Sequence, residues 1–254
     1  MALLETRGLT IRFGGNLAVS DVDLAAEAGA VTGLIGPNGA GKTTTFNMIC
    51  GVLSPTSGSV ILDGKDVSKI GTHKRARRGI GRTFQRLEVF SSMSVRDNIL
   101  VGCEIRQGWA RSTPAGRQLL APEGADLSAA DEVELLMDRL GLTESADVRA
   151  GQLSTGRARL VELARALAIR PRVLLLDEPA SGLDETETEE FGELLQQLAA
   201  AGLSILMVEH DVPLVMKVCS QIFVLDFGRI IASGSASEIQ RNESVLNAYL
   251  GSAS

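Results

Sequence analysis

The chain is short of several features that would each fix a class of protein. Cysteine is scarce: Cys50, Cys103 and Cys219 stand far apart in 254 residues, in apolar or helical settings. No metal-binding spacing results, and core thiols in a reducing compartment are expected. No apolar run approaches the ~18 residues that a membrane span needs. The opening stretch MALLETRGLT carries Glu5 and lacks an apolar h-region, so no signal peptide is expected. There is no basic excess either. A net charge of −6 argues against nucleic acid as partner. Internal repeats, low-complexity segments and heptad runs are missing as well. What remains is a chain that is 44% hydrophobic, long enough for one large α/β domain or one domain with an insert.

One stretch organises the rest. Gly36-Pro37-Asn38-Gly39-Ala40-Gly41-Lys42-Thr43 fits the phosphate-loop pattern G-x-x-x-x-G-K-[ST]. The apolar segment Val31 to Ile35 before it reads as a buried strand. Thr44 to Cys50 after it reads as a short helix stopped by Gly51. Glycines let backbone N–H groups close around phosphate oxygens, and the helix N-terminus adds partial positive charge at the same place. Lys42 is placed to reach the terminal phosphates of a nucleotide, and the Thr43 hydroxyl to bind Mg²⁺.

Elsewhere the pattern predicts alternating elements. Leu9 to Phe13 and Val19 to Ala26 read as strands around Gly14-Gly15-Asn16. Ser59 to Leu62 and Lys65 to Val67 form a hairpin on Asp63-Gly64, so the N-terminal part reads as antiparallel. His73, Lys74, Arg75, Arg77 and Arg78 read as the solvated face of a helix, with an acidic partner as the alternative. Gly79 to Phe84 is a short strand ending at Gln85. Residues 86–152 read as an all-helical insert. Ser94 and Ser128 are N-caps, Gly108 to Gly124 a surface loop, and Val133, Leu136, Met137 and Leu140 a helical stripe ended by Gly141. Leu160, Leu163, Ala164 and Leu167 mark a helix that ends before Pro171. Val173 to Leu176 and Leu203 to Val208 are strands covered on both faces. Phe191, Leu194, Leu195 and Leu198 mark a helix closed at Gly202, and Asp211 caps the next. Ile222 to Leu225 and Arg229 to Ala232 make a hairpin around Asp226-Phe227-Gly228. Val245, Leu246, Tyr249 and Leu250 suggest a short final helix.

Two further stretches carry chemistry. Asp177 and Glu178 end a buried strand, at the edge where open parallel sheets bind ligands. Asp177 can hold Mg²⁺ and Glu178 can polarise a water for attack on a γ-phosphate. Alone, the pair reads equally as helix-entry acids before Pro179. Leu153-Ser154-Thr155-Gly156 opens a helix and makes either an anion site or an ordinary N-cap.

Taken in order, the phosphate loop, Gln85, Leu153-Ser154-Thr155-Gly156, Leu176-Asp177-Glu178, Ser181-Gly182-Leu183-Asp184 and His210 closely resemble an ABC transporter ATP-binding subunit, over nearly the whole chain. The resemblance implies an α/β P-loop NTPase core with an N-terminal antiparallel β subdomain and an inserted α-helical subdomain. Residues 1–254 then form one domain, 1–85 and 153–254 its nucleotide-binding core and 86–152 the helical part. It implies ATP and Mg²⁺ as ligands. ATP is held by Gly36, Asn38, Gly39, Ala40, Gly41, Lys42, Thr43 and Thr44, with Phe13 at the adenine-stacking position and a core Phe as the alternative there. Thr43, Gln85 and Asp177 attend the metal. Glu178 is the general base, His210 contacts the γ-phosphate, and Gln85 couples to the helical insert. Ser154 and Gly156 serve the nucleotide of an opposite subunit, and Asp184 lies in the loop that crosses between subunits. One departure stands out: Arg157 occupies a position where the family commonly has Gln.

Arg12-Phe13-Gly14-Gly15, Gly79 to Gln85, Val208-Glu209-His210-Asp211 and Ala248 to Gly251 look like the branched-chain amino acid importer ATPases. Thr43-Thr44-Thr45-Phe46 also resembles the lipopolysaccharide-transport ATPases. The implied partners are transmembrane permeases, a second cassette (identical or different) and, indirectly, a solute-binding protein. The implied place is the inner face of the cell membrane. Urea or amide import, lipid or lipopolysaccharide export, and a soluble ABC protein acting on DNA or ribosomes are the competing readings.

Overall fold

A computed structural model describes residues 2–109 and 127–250, with side chains through 248. Two sheets share one core. The first is antiparallel, in the order β2-β1-β4-β5, from Ala2–Phe13 (β1), Asn16–Glu27 (β2), Ser57–Leu62 (β4) and Lys65–Asp66 (β5). The second has six strands in the order β10-β9-β3-β8-β7-β6. These are Val31–Ile35 (β3), Ile80–Arg82 (β6), Val173–Asp177 (β7), Ser204–Val208 (β8), Gln221–Asp226 (β9) and Arg229–Gly234 (β10). All of its pairings are parallel except the β9–β10 hairpin.

The apolar runs of β3, β7, β8 and β9 are explained by what lies on each face. Leu174, Leu176, Ile205, Met207, Ile222 and Val224 point to one cluster. There they meet the helices Val95–Trp109 (α3), Ala129–Arg139 (α4), Thr155–Ala168 (α5), Glu185–Ala200 (α6) and Val212–Val218 (α7). Their neighbours Val173, Leu175, Leu206, Val208, Phe223 and Leu225 point the other way, to the antiparallel sheet and the helix Lys42–Cys50 (α1). Side chains alternate across a strand, so covering both faces requires a continuous apolar run.

Parallel pairing has a consequence for function. In register, Leu34 sits beside Val208, and Val208 beside Asp177. The residues that follow β3, β6, β7 and β8 therefore leave the sheet at the same edge. They are the phosphate loop, Gln85, Glu178 and His210. Ser94 and Ser128 cap α3 and α4 as expected, each accepting from the backbone N–H three residues on. Between α4 and α5 lie single turns of 3₁₀ helix at Thr143–Ser145 and Ala150–Gln152. Among the described residues no helix is long and apolar enough to cross a membrane.

Several expectations need correction. The first strand starts at Ala2, not Leu9. Its early part is masked in sequence by a buried Thr6, whose hydroxyl donates to Val22 O at 2.8 Å and accepts from Leu24 N at 3.1 Å. The basic cluster forms the helix Thr72–Arg77 (α2), yet Arg75 is only 1% exposed. It donates to the carbonyls of Met48 and Ile49 at 2.7 Å, and to those of Ser68 and Ile70 at 2.8 Å. Two of those are end-of-helix carbonyls of α1, at the negative end of its dipole; Met48 O also accepts from the C-cap Gly51 N at 3.1 Å. Arg75 is thus a C-terminal anchor of α1; His73, Lys74, Arg77 and Arg78 remain exposed. Gly108 belongs to α3 rather than to a loop, and from 110 onward that expected loop lies outside the described residues. The final helix is Glu243–Leu250 (α9), preceded by the short helix Ala236–Gln240 (α8). Gly251 lies outside the described residues.

Candidate functional site

The loop between β3 and α1 is shaped by glycines that nothing else could replace. A Cβ on Gly36 (φ 150°) would collide with the Leu225 carbonyl, and one on Gly41 (φ 106°) would stand 2.9 Å from Ala18 O. Lys42 begins α1 and is buried. Its ammonium folds back onto the loop, donating to Gly36 O at 2.7 Å and Pro37 O at 2.9 Å. Burial lowers its pKa, against the opposing pull of Glu178 and Asp177. Thr43 lies exposed on the first turn.

Asp177, at the end of β7, is 2% exposed. One carboxylate oxygen accepts from Arg82 Nη2 at 2.9 Å, and Arg82 also donates to Asn47 Oδ1 of α1 at 2.6 Å. The other oxygen, Oδ1, is buried with no partner among the described residues. A charged oxygen left so is costly unless a cation or donor completes it. Glu178 follows with φ 50°, a strained conformation for a non-glycine residue that typically costs about 1–3 kcal/mol. That backbone turn brings its N–H to Val208 O at 2.8 Å and its side chain to the sheet edge. There Oε2 accepts from Gln85 Nε2 at 2.9 Å, and Oε1 meets His210 Nε2 at 2.8 Å. One carboxylate joins the ends of three strands.

Buried ionic groups to which the sequence assigns no role hold these three residues. Arg159 of α5 donates to Phe84 O at 3.1 Å and to Gln85 O at 2.8 Å. Its buried neighbour Glu162 accepts from Phe84 N at 3.3 Å, and burial pushes that carboxyl's pKa up. Glu209 is buried as well. It accepts from the backbone N–H groups of Ala180 at 2.7 Å, His210 at 2.9 Å and Asp211 at 3.4 Å, tying the segment after Glu178 to the segment carrying His210. Its pKa too is raised by burial. The sequence signal for Arg159 and Glu162 is a charge inside an otherwise apolar helix. Glu209 stands in the stretch Val208-Glu209-His210-Asp211, where the sequence assigns a site role only to its neighbour His210.

A cavity of about 540 Å³ lies over the phosphate loop. Residues 38–44 form its floor, Gln85, Glu178 and His210 one side, and Asn16, Leu17, Ala18 and Phe227 the other. Asp177 sits behind it, Phe13 is 48% exposed at the end of β1, and neither lines it. Nor do Ser154, Gly156 and Asp184. Ser154 and Asp184 serve here as N-caps of α5 and α6, Ser154 accepting from Arg157 N and Asp184 from Glu187 N. Gly156 lines a separate cavity of about 410 Å³ beside α6. The Arg157 side chain docks within its own chain, on Gly141 O at 3.3 Å and Ser145 Oγ at 3.0 Å. Among the described residues no three His, Cys, Asp or Glu converge as a metal site.

Comparisons with known proteins agree with this geometry. The family model described as ABC transporter matches residues 19–181, and that of the branched-chain amino acid ATP-binding cassette transporter matches residues 229–254. The high-affinity branched-chain amino acid transport ATP-binding protein BraF of Pseudomonas aeruginosa is 40% identical, over 99% of this chain and 98% of that one. The lipopolysaccharide export system ATP-binding protein LptB of Escherichia coli is 36% identical over the same shares. The crystal structure of the ADP conformation of MJ1267, an ATP-binding cassette of an ABC transporter, superposes with a TM-score of 0.84 at 29% identity, covering 99% of both chains. With the phosphate loop, the paired carboxylates and the histidine on one sheet edge, the chain belongs to the ABC transporter ATP-binding family and is an ATPase coupled to transport.

Proposed function

We propose that this chain is the ATP-hydrolysing subunit of an importer for branched-chain or other hydrophobic amino acids, held at the inner face of the membrane by its permease partners. The observation that carries the catalytic part is Glu178, gripped by Gln85 at 2.9 Å and His210 at 2.8 Å on the wall of a cavity floored by the phosphate loop. The similarity to BraF and the matching segment at 229–254 support the amino acid cargo.

The mechanism follows from the groups present. Lys42 exchanges its two loop carbonyls for the β- and γ-phosphate oxygens, and backbone N–H groups of residues 38–43 cradle the phosphates. Thr43 Oγ1 and Asp177 Oδ1 are oxygen donors of the kind Mg²⁺ takes, together with nucleotide phosphates and water. When bound, that ion neutralises charge developing on the phosphoryl oxygens. Glu178 takes the proton of a water as the water oxygen attacks the γ-phosphorus and the bond to ADP breaks. His210 steadies the γ-phosphate, and Gln85 senses the reacting end and passes its state to residues 86–152. Ser154 and Gly156 complete the site of a second cassette, with Asp184 in the crossing loop. ATP thereby favours the paired cassettes and hydrolysis parts them.

Two experiments test this reading. Glu178→Gln should still bind a fluorescent ATP analogue and release no phosphate; phosphate release at the wild-type rate removes Glu178 as base. Capture of membrane partners with the tagged chain should bring down amino acid permeases. Recovery of a lipid exporter instead would overturn the cargo while leaving the ATPase intact.

A further inference from the structure

Phe227 is 89% exposed, more than any other large hydrophobic side chain among the described residues. It sits with Gly228 in the two-residue turn between β9 and β10, at φ 41°, where Asn or Gly would be relaxed. A bulky apolar ring in strained backbone, facing solvent, contributes nothing to the core.

The turn that carries it is bolted to the phosphate loop. Gly228 N donates to Ala40 O at 2.8 Å, and Ser20 N donates to Gly228 O at 2.8 Å. A Cβ on Gly228 would stand 2.6 Å from Ala18 O, so the turn lies directly on Ala18 and Val19. Strand order fixes the rest. The β9–β10 hairpin flanks β3 on one side, while β8 and β7, which lead to His210 and Glu178, flank it on the other. Phe227 and residues 16–18 therefore border the cavity at the end away from Glu178. With the γ-phosphate at Glu178, the base of a nucleotide extends toward that far end.

We propose that Phe227 is a nucleotide-base contact, its ring supplying the aromatic wall of the ATP site opposite Glu178. The inference rests on the ATP-binding reading above. Stacking on an aromatic face tolerates any base, because each base has a π-face. Phe227 therefore adds affinity for the nucleoside part and discriminates little between purines.

The test is isothermal titration of the full chain with ATP, GTP and tripolyphosphate, comparing wild type with Phe227→Asn and Phe227→Trp. Asn tolerates positive φ, so the turn survives while the ring is lost. Phe227→Asn should weaken ATP and GTP alike by about fivefold to a hundredfold and leave tripolyphosphate unchanged. Phe227→Trp should keep ATP affinity, and ATP should quench a fluorescence absent from the wild type, whose one tryptophan is Trp109. Equal losses for ATP and tripolyphosphate would reduce Phe227 to a prop for the phosphate loop. Unchanged ATP affinity in Phe227→Asn overturns the proposal, and weakened ATP-dependent self-association beside it would make the ring a subunit contact. A wild type that binds none of the three ligands would instead fail the ATP reading itself, and this proposal with it.

Discussion

Arg82 donates to one oxygen of Asp177 at 2.9 Å, across adjacent strands, and leaves the other oxygen buried without a partner among the described residues. The pair is almost fully buried. Removing one partner strands a charge in low dielectric, so Arg82→Met should cost about 3–5 kcal/mol in urea unfolding. The double variant Arg82→Met with Asp177→Asn removes both charges of this pair and should regain much of that stability. It should not regain ATPase activity if Asp177 holds Mg²⁺ as proposed, since Asn is a poor substitute for a carboxylate oxygen toward that ion. If the double variant stays as unstable as the single one, the ion pair is not what Arg82 contributes.

Arg159 acts through Gln85 without reaching the cavity. Its bonds to Phe84 O and Gln85 O fix the segment that delivers the Gln85 amide to Glu178. Arg159→Met should free that segment. In the proposed mechanism Gln85 is a catalytic group, and displacement of such a group by about 1 Å can cost about 100-fold in rate, so kcat should fall by roughly that factor. Affinity for ATP should hold, because the phosphate loop keeps its own supports. Glu162 loses its ionic partner in this variant but keeps the bond from Phe84 N, and burial pushes its pKa up, which lowers the cost of losing the guanidinium. A fall in ATP affinity that matches the fall in kcat would count against a positioning role.

The phosphate loop, the strand before it and the helix after it were legible because they depend on local rules: glycines at fixed spacing, an apolar run before them and a glycine stop after the helix. Gln85, Glu178 and His210 were found by order and motif. Their meeting at one carboxylate depends on strand register, which the linear pattern does not contain. Arg75 shows the limit most clearly. In sequence it is one of five basic residues in a row of six positions, and only the packing of α2 against the end of α1 sets it apart from its exposed neighbours. The roles of Arg159, Glu162 and Glu209 were not legible for the same reason: each satisfies backbone groups from a distant segment.

Arg75 therefore yields a stability prediction. Arg75→Met roughly preserves the volume but removes the guanidinium donor from four carbonyls, two of them buried, and Met48 O keeps only its bond from Gly51 N. Hydrogen bonds from a charged group contribute about 1.5–3 kcal/mol each, so a loss of at least about 3 kcal/mol is expected. In a domain of this size that lowers Tm by about 2–4 °C per kcal/mol. Arg75→Lys should recover only part of the loss, because an ammonium cannot span four acceptors in a planar fork. His73→Ala and Lys74→Ala, on the exposed face, should leave Tm within about 1 °C of wild type. A comparable drop for those two would return the cluster to a shared surface role.

Glu209 gives a pH dependence whose sign can be worked out. Burial raises its folded-state pKa above the ordinary glutamate value, with the three backbone N–H bonds pulling the other way. The folded protein thus holds this proton more tightly than the unfolded chain. The resulting stabilisation is fully present below the unfolded pKa and is lost as pH rises through the folded one. Glu209→Gln removes the titration, and its amide turns a donor toward N–H groups that need acceptors. The stability of wild type minus that of Glu209→Gln, from urea unfolding at successive pH values, should therefore fall with rising pH from about 4.5 upward and then level off. A difference that rises with pH over that interval would mean that the N–H groups of Ala180, His210 and Asp211 outweigh burial. In either case Glu209→Gln loosens the link between the segments carrying Glu178 and His210. Turnover at neutral pH should drop by more than the affinity for ATP does, and equal losses in both would make Glu209 a general prop of the fold.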